Sequence, residues 1–236
     1  MSIKSIRNQI AVFGNFNFPA DSDTTVALLK AFGSDGFMPQ TVQTVDPFSG
    51  LTVQRLTLVS SDFGGSEVSA IVFAPDRIDI TTALPVGSDI EPYITAAAKY
   101  LARVADRAPN YWRLGLVRDF SVGKFGDGQD VGLLGRLLPI APNDSFEWSS
   151  RWVSVKEVGG EKYNYQIEAT KQVGMGIVAG NRLESIEGVK MMHDVSTSPE
   201  VTAKRFNAGN VEAELLKMAR IIGDDPIAFV GGTNHG

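Results

Sequence analysis

Three stretches of this chain hold residue types that could carry chemistry. Asp76, Arg77 and Asp79, followed by Arg113, Arg118 and Asp119, set cations beside carboxylates at the ends of expected neighbouring strands. A guanidinium binds a carboxylate or phosphate through two parallel N–H bonds, so Arg77, Arg113, Arg118 and the later Arg151 are candidate anion- or partner-binding residues. The same side chains can equally satisfy one another as ion pairs beside a turn, the commoner use of surface charges.

The second stretch is His193-Asp194. On a strand, successive side chains point to opposite faces, so this carboxylate cannot orient this imidazole as a base and its partner would require. The third is the loop Gly123-Lys124-Phe125-Gly126-Asp127-Gly128-Gln129-Asp130. Its lysine precedes the glycines, which is the wrong order for a phosphate loop. Asp127 and Asp130 are the candidate metal ligands, but the EF-hand order with its closing Glu is missing, and Asp127 serves equally well as a helix N-cap. Trp112, Trp148, Trp152, Tyr163 and Tyr165 could stack on bases or sugars, or line a sheet against helices. No residue is assigned a catalytic role, and no cofactor is expected.

Composition narrows the classes further. The chain has 236 residues, 43% of them apolar, enough for one substantial core. It has no Cys, which removes disulfides, thiolate catalysis and Cys-based metal sites and fits a cytoplasmic setting. Lys and Arg number 22 against 27 Asp and Glu, a net charge of −5. That balance disfavours non-specific nucleic-acid binding, which draws its affinity from many basic contacts. Lys4 and Arg7 precede an apolar run broken by Gly14, Asn15 and Asn17, so no export signal is expected. No apolar window approaches the roughly 18–20 residues that cross a bilayer, so no membrane partner is expected either.

The elements that must position these residues follow from periodicity. A strand is expected over Gln9–Phe18, then a helix capped by Ser22 or Asp23 with Val26, Leu29 and Phe32 inward. Met38–Gly50, with two prolines, reads as a loop. Strands follow over Leu51–Ser60, Glu67–Ala74 and Ile78–Thr82, with a turn at Asp62–Gly65; the last two are joined too tightly for anything but an antiparallel meander. Ser88 and Glu91 form a capping box ahead of a helix whose stripe is Ile90, Ile94, Ala97, Leu101 and Val104. Tyr111–Val122 is the next strand, and Val131, Leu134, Leu137 and Leu138 suggest a short helix. Gly159-Gly160 marks a long hairpin between Phe146–Val158 and Lys162–Val178. A strand over Glu187–Val195 and a helix through Val211, Leu215, Met218 and Ile222 complete the chain.

This order gives an α+β fold: a twisted, mainly antiparallel sheet with helices packed on one side. Residues 1–236 are expected to form a single domain, with two similar lobes divided near 139–145 as the alternative organisation. The segments VFAPDRI (Val72–Ile78), the helix after it, WRLGLVRDF (Trp112–Phe120) and MMHDVST (Met191–Thr197) together resemble a sporadically distributed, uncharacterised bacterial protein family of similar length. That family's strand carries its second Arg four residues after the first, with an aromatic beside it. Here Val117 fills that place and Arg118 comes one later. The resemblance implies the same α+β architecture and no catalytic residue.

Dispersed charge, missing motifs and a projecting polar hairpin from Arg151 to Lys171 point to a non-catalytic, protein-binding or self-assembling component of a bacterial or phage system, with host–phage conflict among the settings such a component fits. Two alternatives belong to other classes. One is a metal-dependent hydrolase using Asp and Glu carboxylates. The other is a nucleic-acid-binding protein using Arg113, Arg118 and Arg151 with the tryptophans.

Overall fold

The computed structural model describes residues 2–45, 52–60, 68–84, 88–123, 149–178, 182–198, 203 and 205–223. Nine strands and three α-helices occur among them: β1 (Ser2–Phe13), α1 (Ser22–Phe32), β2 (Phe37–Val45), β3 (Thr52–Ser60), β4 (Ala70–Phe73), β5 (Arg77–Thr82), α2 (Glu91–Arg103), β6 (Arg113–Gly123), β7 (Ser149–Val158), β8 (Glu161–Val178), β9 (Arg182–Thr197) and α3 (Val211–Ile222). The strands form one sheet in the order β2-β3-β4-β5-β1-β6-β9-β8-β7, and every pairing within it is antiparallel. The α+β class therefore holds. No helix among the described residues is long and apolar enough to cross a membrane.

Strand register sorts the side chains into two faces. On the first lies the row Ile80, Ile10, Leu116, Val195 and Tyr165, each opposite the next across five strands. This face carries the main core, joined by Leu28 and Phe32 from α1, Tyr93, Ile94, Ala97 and Leu101 from α2, and Val211, Leu215, Met218 and Ile222 from α3. A smaller cluster of Phe120, Ile167, Ala169, Val189 and Met191 continues the same face. One α2 side chain reaches into the sheet itself. The buried Tyr93 hydroxyl accepts the Ile10 N–H at 3.0 Å and donates to the Ile80 carbonyl at 2.5 Å, bridging β1 and β5 at a paired position.

Several expected boundaries are corrected. β1 starts at Ser2 and stops at Phe13, so Phe16 and Phe18 reach the core from a loop. Gly14 makes that turn possible, because a Cβ there would lie 2.3 Å from the Phe16 ring and 2.9 Å from the Asn110 carbonyl oxygen. The expected loop from Met38 is strand β2 as far as Val45, and residues 46–50 lie outside the described set. An edge strand tolerates Pro39 because it need not serve a ladder on both sides.

In α1 the cap is Asp21, whose carboxylate accepts the Thr24 N–H at 2.8 Å. The inward side is Leu28 and Phe32, while Val26 and Leu29 face solvent. The Ser88–Glu91 capping box does not form; Asp89 accepts the Glu91 N–H instead, and Pro92 occupies the first turn. The α2 stripe itself is buried as expected, and so is that of α3. β9 begins at Arg182, earlier than expected. The Asp62–Gly65 turn, the helix expected through Val131–Leu138 and the lobe boundary near 139–145 lie outside the described residues.

Candidate functional site

The second face of the sheet gathers most of the candidate residues. Arg77, Phe13 and Arg113 stand opposite one another on β5, β1 and β6, and both guanidinium carbons sit over the Phe13 ring, at 5.1 and 5.0 Å from its centre. The adjoining row is Asp79, Ala11, Gly115, Ser196 and Asn164, with the two smallest side chains at its centre. Next come Gln9, Val117, Asp194, Gln166 and Val153, then Arg7 and Asp119.

Each arginine here already bonds inside the protein. Arg77 Nε donates to Asp79 at 2.7 Å, and Gln9 donates to the same carboxylate oxygen at 2.7 Å. Arg113 donates to Ser196 Oγ at 3.2 Å and Arg151 to Gln166 Oε1 at 2.6 Å. Arg7 and Lys190 both reach the buried Asp119, at 3.0 and 3.4 Å. Asp194 lies among these cations, but burial holds its pKa above the ordinary carboxylate value, and Arg113, Arg77 and Arg151 pull it back only in part. Three of the four candidate arginines thus share a field around one carboxylate.

Arg118 does not join them. One residue out of step with Val117 and Asp119, it points to the core face, where Nε donates to Asn8 Oδ1 at 3.2 Å and Nη1 to the Gly223 carbonyl at 3.3 Å. A cation on the carbonyl just after α3 answers the negative end of the helix dipole, a structural task. Asp127 and Asp130 lie outside the described residues. Among the described residues no three His, Asp or Glu side chains converge as metal ligands.

His193 occupies the core face, between Arg118 and Ile167, while Asp194 occupies the other, as alternation requires. Its contact is Tyr165, whose hydroxyl lies 2.7 Å from Nδ1, and its ring meets Phe120 edge-on with centroids 5.6 Å apart. A second buried pair sits nearby, Tyr163 donating to Glu214 of α3 at 2.5 Å. Neither tyrosine contact was evident in the residue string, since each depends on a register between distant elements.

The remaining candidate surface is the sheet margin. β7 pairs with β8 through the whole of Ser149–Val158, and no strand among the described residues pairs with its other side. The turn beyond it is Gly159-Gly160, both with positive φ (61° and 80°), the conformation a two-residue hairpin of this twist requires. Along β7 the residues are exposed or half-exposed, and Val153 and Val155 show 60% and 62% of their surface. Neither a scan against protein-family models nor a search of curated proteins finds a match for this chain.

Proposed function

We propose that this protein is a non-catalytic, protein-binding or self-assembling component of a bacterial or phage system, and that it works through the β7 margin and the hairpin β7 makes with β8. The observation that carries the reading is a ten-residue strand, paired with a strand on one side only among the described residues, that presents two valines largely to solvent. An open strand edge offers a row of unpaired N–H and C=O groups to an incoming strand, and apolar side chains along it add burial on contact.

The arginine-rich face supports the same class of function. Arg77, Arg113 and Arg151 each give at least one N–H to an internal carboxylate, hydroxyl or amide, which leaves a mixed-charge surface suited to a protein partner more than to a polyanion. The resemblance of Val72–Ile78, Trp112–Phe120 and Met191–Thr197 to a sporadically distributed bacterial family supports the bacterial or phage setting.

The test is a Val153→Lys/Val155→Lys double variant compared with the wild-type chain by light scattering and by affinity capture from bacterial extract. Association that disappears in the double variant is the expected result. Association unchanged by it, or none in the wild type by either measurement, overturns the proposal.

A further inference from the structure

We infer that the occupant of the β7 margin is a second copy of this chain, paired antiparallel about a two-fold axis that passes through Ser154. The inference rests on the reading above and adds the partner and the register. A two-fold axis normal to the sheet sets β7 against its own copy, joins the two sheets into one, and makes facing residues share a sheet face. The sequence of β7 then chooses among the registers.

With Ser154 on the axis, Arg151 faces Glu157 of the copy and Glu157 faces its Arg151, giving two opposite-charge pairs. Val153 faces Val155 on that same face, so the two most exposed valines among the described residues of each chain cover one another. On the other face Trp152 meets Lys156, an aromatic ring opposite an ammonium. Arg151 keeps N–H donors for Glu157 beyond the one it gives Gln166.

Neighbouring registers lose this match. Centred on Val153, the pairing sets Arg151 against Val155; centred on Val155, it sets Glu157 against Val153; centred on Lys156, it opposes two ammoniums. The other margin of the sheet carries no comparable code. β2, Phe37–Val45, has no charged residue and includes Pro39, which cannot donate to a new ladder.

Because the chain has no Cys, Ser154→Cys gives a single thiol. Facing residues of an antiparallel pair have Cα atoms about 4.5 or 5.5 Å apart, within disulfide reach in either case. Ser150→Cys is the control, since eight residues of rise separate it from its mate, roughly 27 Å. The expected results are a wild-type dimer by light scattering, a Ser154→Cys chain that oxidises to a covalent dimer, and a Ser150→Cys chain that does not. Arg151→Glu and Glu157→Arg should each weaken association at least tenfold, and the two together should restore it. Circular dichroism of these surface variants checks that each is folded.

A dimer that Val153→Lys/Val155→Lys dissolves but Ser154→Cys does not cross-link overturns the register while leaving the proposed function standing. A wild-type chain that stays monomeric overturns the second copy, and the capture experiment then decides the broader reading alone. Charge reversals that leave association unchanged, or a double reversal that fails to restore it, also overturn the inference.

Discussion

Two buried tyrosines show how a single hydroxyl can act in opposite directions. Tyr93 satisfies a β1 donor and a β5 acceptor that would otherwise be buried without partners, so Tyr93→Phe should cost about 2–4 kcal/mol in urea unfolding. The hydroxyl of Tyr111 is buried with no hydrogen-bond partner among the described residues, so Tyr111→Phe should be neutral or stabilising by about 1 kcal/mol. Burial also pushes the Tyr111 pKa from 10.0 up to about 12. Its folded-state pKa is the raised one, so this contribution to stability is intact below pH 10 and is lost as pH climbs from about 10 towards 12. Tyr111→Phe should flatten that alkaline loss. Asp194 obeys the same rule at the acid end. Because burial raises its folded pKa, ionising it on the way to neutral pH lowers stability, so Asp194→Asn should raise the melting temperature at pH 7 and lose that gain in acid. At this scale the sequence disclosed parity and little more. It separated His193 from Asp194, but the partner of His193 is a tyrosine 28 residues earlier, and no local pattern names it.

Among the elements, those with a clean period were legible and those governed by context were not. The stripe of α2 survives because five apolar residues at helical spacing leave one possible phase, whereas α1 offers Val26, Leu28, Leu29 and Phe32, and packing selects Leu28 with Phe32. β2 was hidden by Pro39, whose exclusion from sheets lapses at an edge. The pairing of β7 with β8 was legible because the Gly159-Gly160 turn fixes its register, pairing Val158 with Glu161 and so Trp152 with Ile167, but the expected projection is corrected: β8 pairs with β9 from Tyr163 to Val178, so the hairpin lies within the sheet. This turn gives an element-scale prediction. Both positions have positive φ, so Gly160→Ala should cost about 1–2 kcal/mol, while Gly159→Asn, a residue that tolerates this conformation, should change stability little. Thermal unfolding of the two variants distinguishes turn strain from general intolerance of the hairpin, since both act at the same tip.

For the whole molecule, the sheet order separates a rigid centre from two margins. β1 and β6 are bonded on both sides and lie against the main core, whereas among the described residues β2 and β7 pair on one side. Native-state hydrogen exchange should therefore be slowest at Ile10, Val12, Leu114 and Leu116 and fastest along β2, with β7 gaining protection as protein concentration rises. The α+β class was legible from the succession of elements, but the sheet order was not, because it depends on pairings such as Ile10 with Ile80 and with Leu116 that lie far apart in the chain. The place of β1 between β5 and β6 also has a consequence for biosynthesis. Ser2–Phe13 leaves the ribosome well before either neighbour exists, and about 100 further residues must be made before Arg113–Gly123 can dock. At roughly 5–20 residues per second that delay is on the order of 5–20 s, during which β1 lacks at least one of its two partner strands and is open to capture by chaperones.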